Sequence, residues 1–109
     1  MLEELFGSQT AEKVLLYLVA QGDGYSLEIA TAFGISNTQV LRTLNKLEQA
    51  DILVGQNQGR TRLYSLNKRW FLAKELEVLL KKALTQVPLD KQEQYFALRG
   101  KPRKKGKPL

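Results

Sequence analysis

Asn37, Thr38, Gln39 and Arg42 lie within six residues of one another, and Ser36, Thr43 and Lys46 flank them. Amide, hydroxyl and guanidinium groups so grouped match what base edges offer. Asn and Gln bond adenine bidentately, and Arg bonds either guanine or a phosphate. Thr43 and Lys46 suit the sugar-phosphate backbone. Further on, Arg60 and Arg62 suit either the phosphates or the minor groove. This is recognition chemistry, and turnover chemistry is missing beside it. The sequence has no Cys and no His, which excludes thiol nucleophiles, His-based triads and Cys/His zinc sites. Gly7-Ser8 is followed by Glu12 as the next acid, without the paired carboxylates that metal-dependent phosphoryl transfer requires. Neither an enzyme nor a cofactor is expected.

Those side chains act together only if a helix presents them on one face. The spacing predicts a helix over Ser36–Gln49. Ser36 and Gln39 form an S-x-x-Q capping box, with Ile35 and Val40 as its hydrophobic staple. Val40, Leu44 and Leu47 fall on one face, and Thr38, Arg42, Asn45 and Gln49 on the other. Upstream, Val14, Leu15, Leu18 and Val19 give a helix from about Gln9 to Ala20, ended at Gln21-Gly22-Asp23-Gly24. Ser26 is expected to cap a short helix, Leu27–Phe33, which Gly34 stops. After Asp51 the period changes. Ile52-Leu53-Val54 and Arg62–Leu66 read as strands, joined through Gln56–Arg60 with Gly59 at positive φ. Asn67 is expected to cap a long helix from Lys68 to about Gln86. Pro88 breaks it, and Asp90 with Glu93 opens a last helix to about Leu98.

The expected fold is therefore mainly α with a small β-hairpin, a winged helix-turn-helix with an added long C-terminal helix. Residues 1–87 would form that domain, 88–98 a short accessory helix and 99–109 a disordered basic tail. The chain carries a net charge of +6, and its distribution matters more. Residues 99–109 hold six Lys/Arg and no acid, leaving eleven charges of each sign in the other 98 residues. Within that neutral body, residues 36–69 hold six Lys/Arg against Glu48 and Asp51, while residues 1–35 hold one Lys against five acids. A neutral body with one basic face fits a polyanion, here double-stranded DNA. The tail would strengthen phosphate binding, or alternatively bind RNA or an acidic protein. Winged helices also serve as protein-interaction adaptors, a second alternative.

The apolar residues Trp70, Phe71, Leu72, Leu76, Val78, Leu79, Leu80, Ala83 and Leu84 cover more than one helical stripe. Either two sides are covered within the monomer or the surplus faces a partner. A homodimer through the 68–86 helix and the N-terminal segment is expected, with Trp70 and Phe71 lining a ligand pocket as the alternative. No apolar run is long enough for a membrane span, and no basic-then-apolar leader opens the chain. A cytoplasmic protein is expected.

The run Ile35–Ala50 (ISNTQVLRTLNKLEQA) resembles the recognition helix of the ArsR-like winged-helix regulators, roughly L-S-x-S-T-V-S-R-H-L-x-x-L-E-x-A-G-L-V. Gly59–Asn67 (GRTRLYSLN) is similar to the wing of that family, G-R-x-x-Y-Y-x-L-N. Leu5-Phe6-Gly7-Ser8 resembles the opening of winged helices found beside minimal nucleotidyltransferases. The resemblance spans about residues 5–85 and implies a dimeric, prokaryotic transcriptional regulator. Two positions depart from the pattern. Leu41 stands where a Ser often faces DNA, touching either a thymine methyl or the core edge. Asp51 stands in place of the Gly that ends the helix, a position Asp tolerates in the left-handed region. The Cys and His clusters of the family's metal sensors are missing, so metal sensing of that type is not expected.

Overall fold

The computed structural model describes residues 1–96. Helices α1 (Glu3–Phe6) and α2 (Gln9–Gln21) meet at Gly7-Ser8, where Gly7 takes a left-handed conformation and Ser8 Oγ accepts the Ala11 N–H at 3.0 Å. That pair is helix punctuation. Glu12, the acid after it, is buried and accepts the Leu2 N–H at 2.9 Å.

The sequence predicts one apolar stripe on α2, but the structure buries Leu16 and Tyr17 as well as Val14, Leu15 and Leu18. A helix buried on five consecutive residues is covered around more than one stripe. Here α2 contacts both the other helices and the sheet.

A short strand, β1 (Gly24–Tyr25), follows where a simple turn is expected. Gly24 lies so close to Tyr17 that an added Cβ would stand 2.9 Å from its ring. Helix α3 (Ser26–Phe33) begins one residue earlier than expected, because Tyr25 rather than Ser26 takes the cap position and its N–H donates to Glu28 Oε1 at 3.1 Å.

Helix α4 (Asn37–Gln49) has Ser36 as its cap, Ser36 Oγ accepting the Gln39 N–H at 3.1 Å, which is the Ser36 half of the expected capping box. Val40 and Leu44 are fully buried and Leu47 is packed against the core. Burying each of the first two contributes about 1.5–3 kcal/mol. That exceeds the few tenths that each Thr or Asn costs in helix propensity, so packing holds this polar helix in place. Replacing Ser36 by Ala should cost about 1 kcal/mol. Urea titration should show a lower midpoint with an unchanged slope. Asp51 takes φ 65°, the left-handed conformation in the place where a Gly is usual.

Strands β2 (Leu53–Gln58) and β3 (Thr61–Leu66) pair antiparallel from Leu53↔Leu66 to Gln58↔Thr61. The connection is tighter than the expected Gln56–Arg60 turn, being only Gly59 and Arg60. Gly59 supplies the positive φ, 64°, as two-residue hairpins require. With β1 on the far side of β3, the sheet has the order β1-β3-β2. Sequence reading anticipated the hairpin and missed its third strand.

Asn67 does not cap a helix beginning at Lys68. Its N–H donates to Ile52 O at 2.9 Å and its Nδ2 to Asp51 O at 2.8 Å, while its Oδ1 accepts the Arg69 N–H at 3.1 Å. This side chain engages the backbone in a turn, which competes with helix. Helix α5 is accordingly shorter than expected, Ala73–Leu84, and Trp70, Phe71 and Leu72 precede it. Helix α6 (Leu89–Phe96) starts before Asp90, which lies in its first turn rather than at its cap. It belongs to the main body: Phe96 is buried, and Phe33 stacks on Tyr95 at 4.9 Å and meets Phe96 edge-on at 5.7 Å. Leu98 and the 99–109 tail lie outside the described residues.

Candidate nucleic-acid interface

Successive helical residues turn by about 100°, and on α4 this separates three faces. The inner face holds Val40, Leu44 and Leu47. The outer face holds Thr38, Gln39, Arg42, Asn45, Lys46 and Gln49, all exposed. A flank toward the hairpin holds Asn37, Leu41 and Glu48, each half-buried. Thr43 is half-buried on the opposite flank. Of the candidate base readers, then, Thr38, Gln39 and Arg42 stand free on the outside. Asn37 is turned toward the hairpin, with its Oδ1 buried and unpartnered among the described residues. Ser36, exposed, uses its hydroxyl to cap the helix.

The hairpin projects beside this helix, with residues 56–61 all exposed and Arg60 at its tip. A cleft of about 640 Å³ separates the two, walled by Tyr25, Leu27, Asn37, Leu41 and Arg60, with Tyr64 behind. Leu41 therefore lines the cleft rather than the outer face, and Leu27 beside it is 64% exposed.

Arg60 and Arg62 form a pair in sequence, but the structure separates them. Arg62 points from the inner face of β3 to α4. Its Nε donates to Glu48 Oε1 at 3.3 Å, its Nη2 to Glu48 Oε2, and its Nη1 to Asn57 Oδ1 at 2.7 Å. The hydrogen bond to Glu48 raises the guanidinium pKa above its ordinary value, against the opposing effect of desolvation. Tyr64 lies next to it, the Arg62 Cζ 6.0 Å from its ring centroid. The Tyr64 hydroxyl donates to Asn45 Oδ1 at 3.3 Å. Burial pushes the Tyr64 pKa up, the Glu48 charge adds to this, and Arg62 opposes it. Gly55 leaves the room for this arrangement, since an added Cβ would stand 2.5 Å from Arg62 Nε.

The partnership of Glu48, Gly55, Asn57 and Arg62 was not foreseen. Its signal, a glycine inside a strand, marks close approach by another group, but it shows only once β2 is seen to run past Val54 through Gly55.

The second exposed feature is apolar. Phe71 is 81% and Val78 63% exposed, and Leu72 and Leu79 are exposed beside them. Trp70 is half-buried, its ring edge-on to Phe71 at 5.9 Å. Leu5 in α1 is exposed as well. Among the described residues no helix is long and apolar enough to cross a membrane, and no three metal-binding side chains come together.

No family model matches this chain, and no curated protein matches it. Among solved structures it is similar to the YusO protein from Bacillus subtilis, with a TM-score of 0.59 and 19% identity, over 96% of this chain and 82% of that one. At that identity the likeness shows fold alone: a mostly helical body with a small three-stranded antiparallel sheet, compatible with a winged-helix-like arrangement.

Proposed function

We propose that this protein is a winged helix-turn-helix regulator of the ArsR-like type that binds double-stranded DNA. In this reading α3 and α4 form the helix-turn-helix, α4 enters the major groove and the β2–β3 hairpin is the wing. The observation that carries it is the pairing of two free surfaces. The outer face of α4 is polar and exposed while its inner face packs on the core through buried Val40 and Leu44 and half-buried Leu47, and an exposed hairpin tip with Arg60 stands alongside. Thr38, Gln39 and Arg42 read base edges, with Asn37 reaching bases from the cleft side. Lys46, Thr43 and Arg60 hold the backbone. The exposed apolar set at Phe71, Leu72, Val78 and Leu79 seats a second copy of the chain, so that two α4 helices face one side of the duplex.

Selection of bound sequences from random duplex DNA by the full chain tests this reading. The expected product is an inverted repeat whose half-sites are about 10 bp apart, one helical turn. A companion protein with the six Lys/Arg of residues 99–109 changed to Gln should bind more weakly yet select the same motif. Recovery of no motif, or loss of all binding in the companion, overturns the assignment of α4 as the reader.

A further inference from the structure

We propose that Arg62 is a positioning residue that sets the tilt of the hairpin against α4, leaving Arg60 to make the hairpin's contact with DNA; the proposal rests on the duplex-binding reading above. The base of the hairpin is anchored by Leu53, Tyr64 and Leu66, all buried. Its outer half, residues 56–61, is exposed, so apolar burial does not fix its direction. Arg62 sits at the boundary between these halves.

Three of the guanidinium nitrogens are engaged, two by the Glu48 carboxylate and one by Asn57. A planar fork held bidentately fixes direction as well as distance. Tyr64, next but one on the same strand, reaches Asn45, which is one helical turn before Glu48. Two neighbouring side chains of one strand thus grip two successive turns of one helix. A two-point attachment resists rotation, which a single contact does not. Gly55 lets the guanidinium lie flat across β2, where any side chain would displace it. The electrostatics agree. Glu48 on a DNA-reading helix repels phosphate, and its pairing with Arg62 cancels both charges. Arg42, Lys46 and Arg60 remain as the exposed cations of α4 and the hairpin among the described residues.

The sign of one substitution separates positioning from direct contact. Removing a negative charge near a polyanion strengthens binding by simple Coulomb attraction. If Glu48 acts by holding Arg62, Glu48→Gln weakens binding instead. The affinity of the full chain for its selected duplex should be measured across a salt series for Glu48→Gln, Arg62→Gln, Arg62→Lys and the double Gln variant.

Each single change is expected to weaken binding about tenfold, with the double variant no worse than the singles, as for residues acting as one unit. The dependence of log affinity on log salt should keep its slope. Arg62→Lys should behave like Arg62→Gln, because an ammonium keeps the charge and loses the fork. The proposal is overturned by tighter or unchanged binding in Glu48→Gln, or by a slope reduced by about 0.9 in Arg62→Gln, the signature of one lost phosphate contact.

A DNA-free measurement keeps the two readings apart. The chain has no Cys, so a nitroxide on Gln58→Cys labels the hairpin alone. Its paramagnetic broadening of the α4 amides should change alike in Glu48→Gln and Arg62→Gln. An unchanged pattern overturns positioning even where DNA is bound. Failure of the unaltered chain to select any duplex overturns the DNA reading and leaves this measurement intact.

Discussion

Replacing Arg42 and Arg60 together by Ala is expected to weaken binding of the selected duplex about 100-fold or more at ~0.1 M salt. The two cations come from different elements, one from the middle of the outer face of α4 and one from the hairpin tip, and both are exposed. Residues on different elements, with no shared partner among the described contacts, are expected to act additively. A bidentate base contact and a well-placed phosphate contact each account for roughly tenfold or more. The single variants assign the roles. If Arg42 reads guanine, Arg42→Ala broadens the selected motif at one position; if it holds phosphate, the motif is kept and the salt slope falls by about one. Arg60→Ala should lower the slope and leave the motif alone. Neither change removes a described hydrogen bond or ion pair, so thermal stability should shift by less than ~0.5 kcal/mol. Unchanged DNA affinity in the double variant eliminates this interface.

The second large effect belongs to the apolar surface before and along α5. Val78→Asp is expected to dissociate the proposed dimer, raising its dissociation constant at least about 100-fold. Val78 is 63% exposed in the single chain, so the Asp costs the monomer little. In a dimer the same position is buried, and an unpaired charge there costs about 3–5 kcal/mol, or roughly two to three and a half powers of ten. Phe71→Ser should act in the same direction through lost apolar area, about 1.5–3 kcal/mol for a side chain of this size. Sedimentation equilibrium at micromolar concentration reads the mass directly. Linkage to DNA gives the second reading: a monomeric variant should bind an inverted repeat little better than a half-site. A Val78→Asp protein that remains dimeric moves the interface elsewhere.

Helix α4 was legible in the sequence because everything that defines it is local. Its cap is Ser36, its stripe is Val40, Leu44 and Leu47, and its outer residues follow by subtraction. The hairpin turn was legible from Gly59 for the same reason. What sequence reading missed depends on distant partners. β1 is a strand only because Tyr64 and Leu63 lie beside Gly24 and Tyr25. Two residues on their own carry no alternation to detect. Asn67 could have capped a helix, and its choice of Asp51 and Ile52 instead is made by the fold around it. The pairing of Arg62 with Glu48 was hidden for a similar reason. Arg60 and Arg62, two residues apart and of like charge, read as one feature, yet Glu48 lies 14 residues before Arg62 and on a different element. The docking of α6 rests on Phe33 meeting Tyr95 and Phe96, aromatic residues that had no evident destination in the linear sequence.

Asn67 binds the exit of the hairpin to its entrance, and this has a mechanical consequence. With Asp51 and Ile52 tied to Asn67 at the base, parting of the strands from that end is opposed, so a hairpin that moves as a unit would do so as a lever about this root. Six residues of β2 at about 3.3 Å each give an arm of roughly 20 Å. A swing of only ~10° carries the tip ~3 Å, about the axial rise of 3.4 Å per charge of one DNA strand. The lever converts a small error in angle near its root into a displacement of ångströms at its end. In the DNA-binding reading proposed above, the place where the hairpin tip meets the duplex would thereby be set by packing at the root, well away from the nucleic acid.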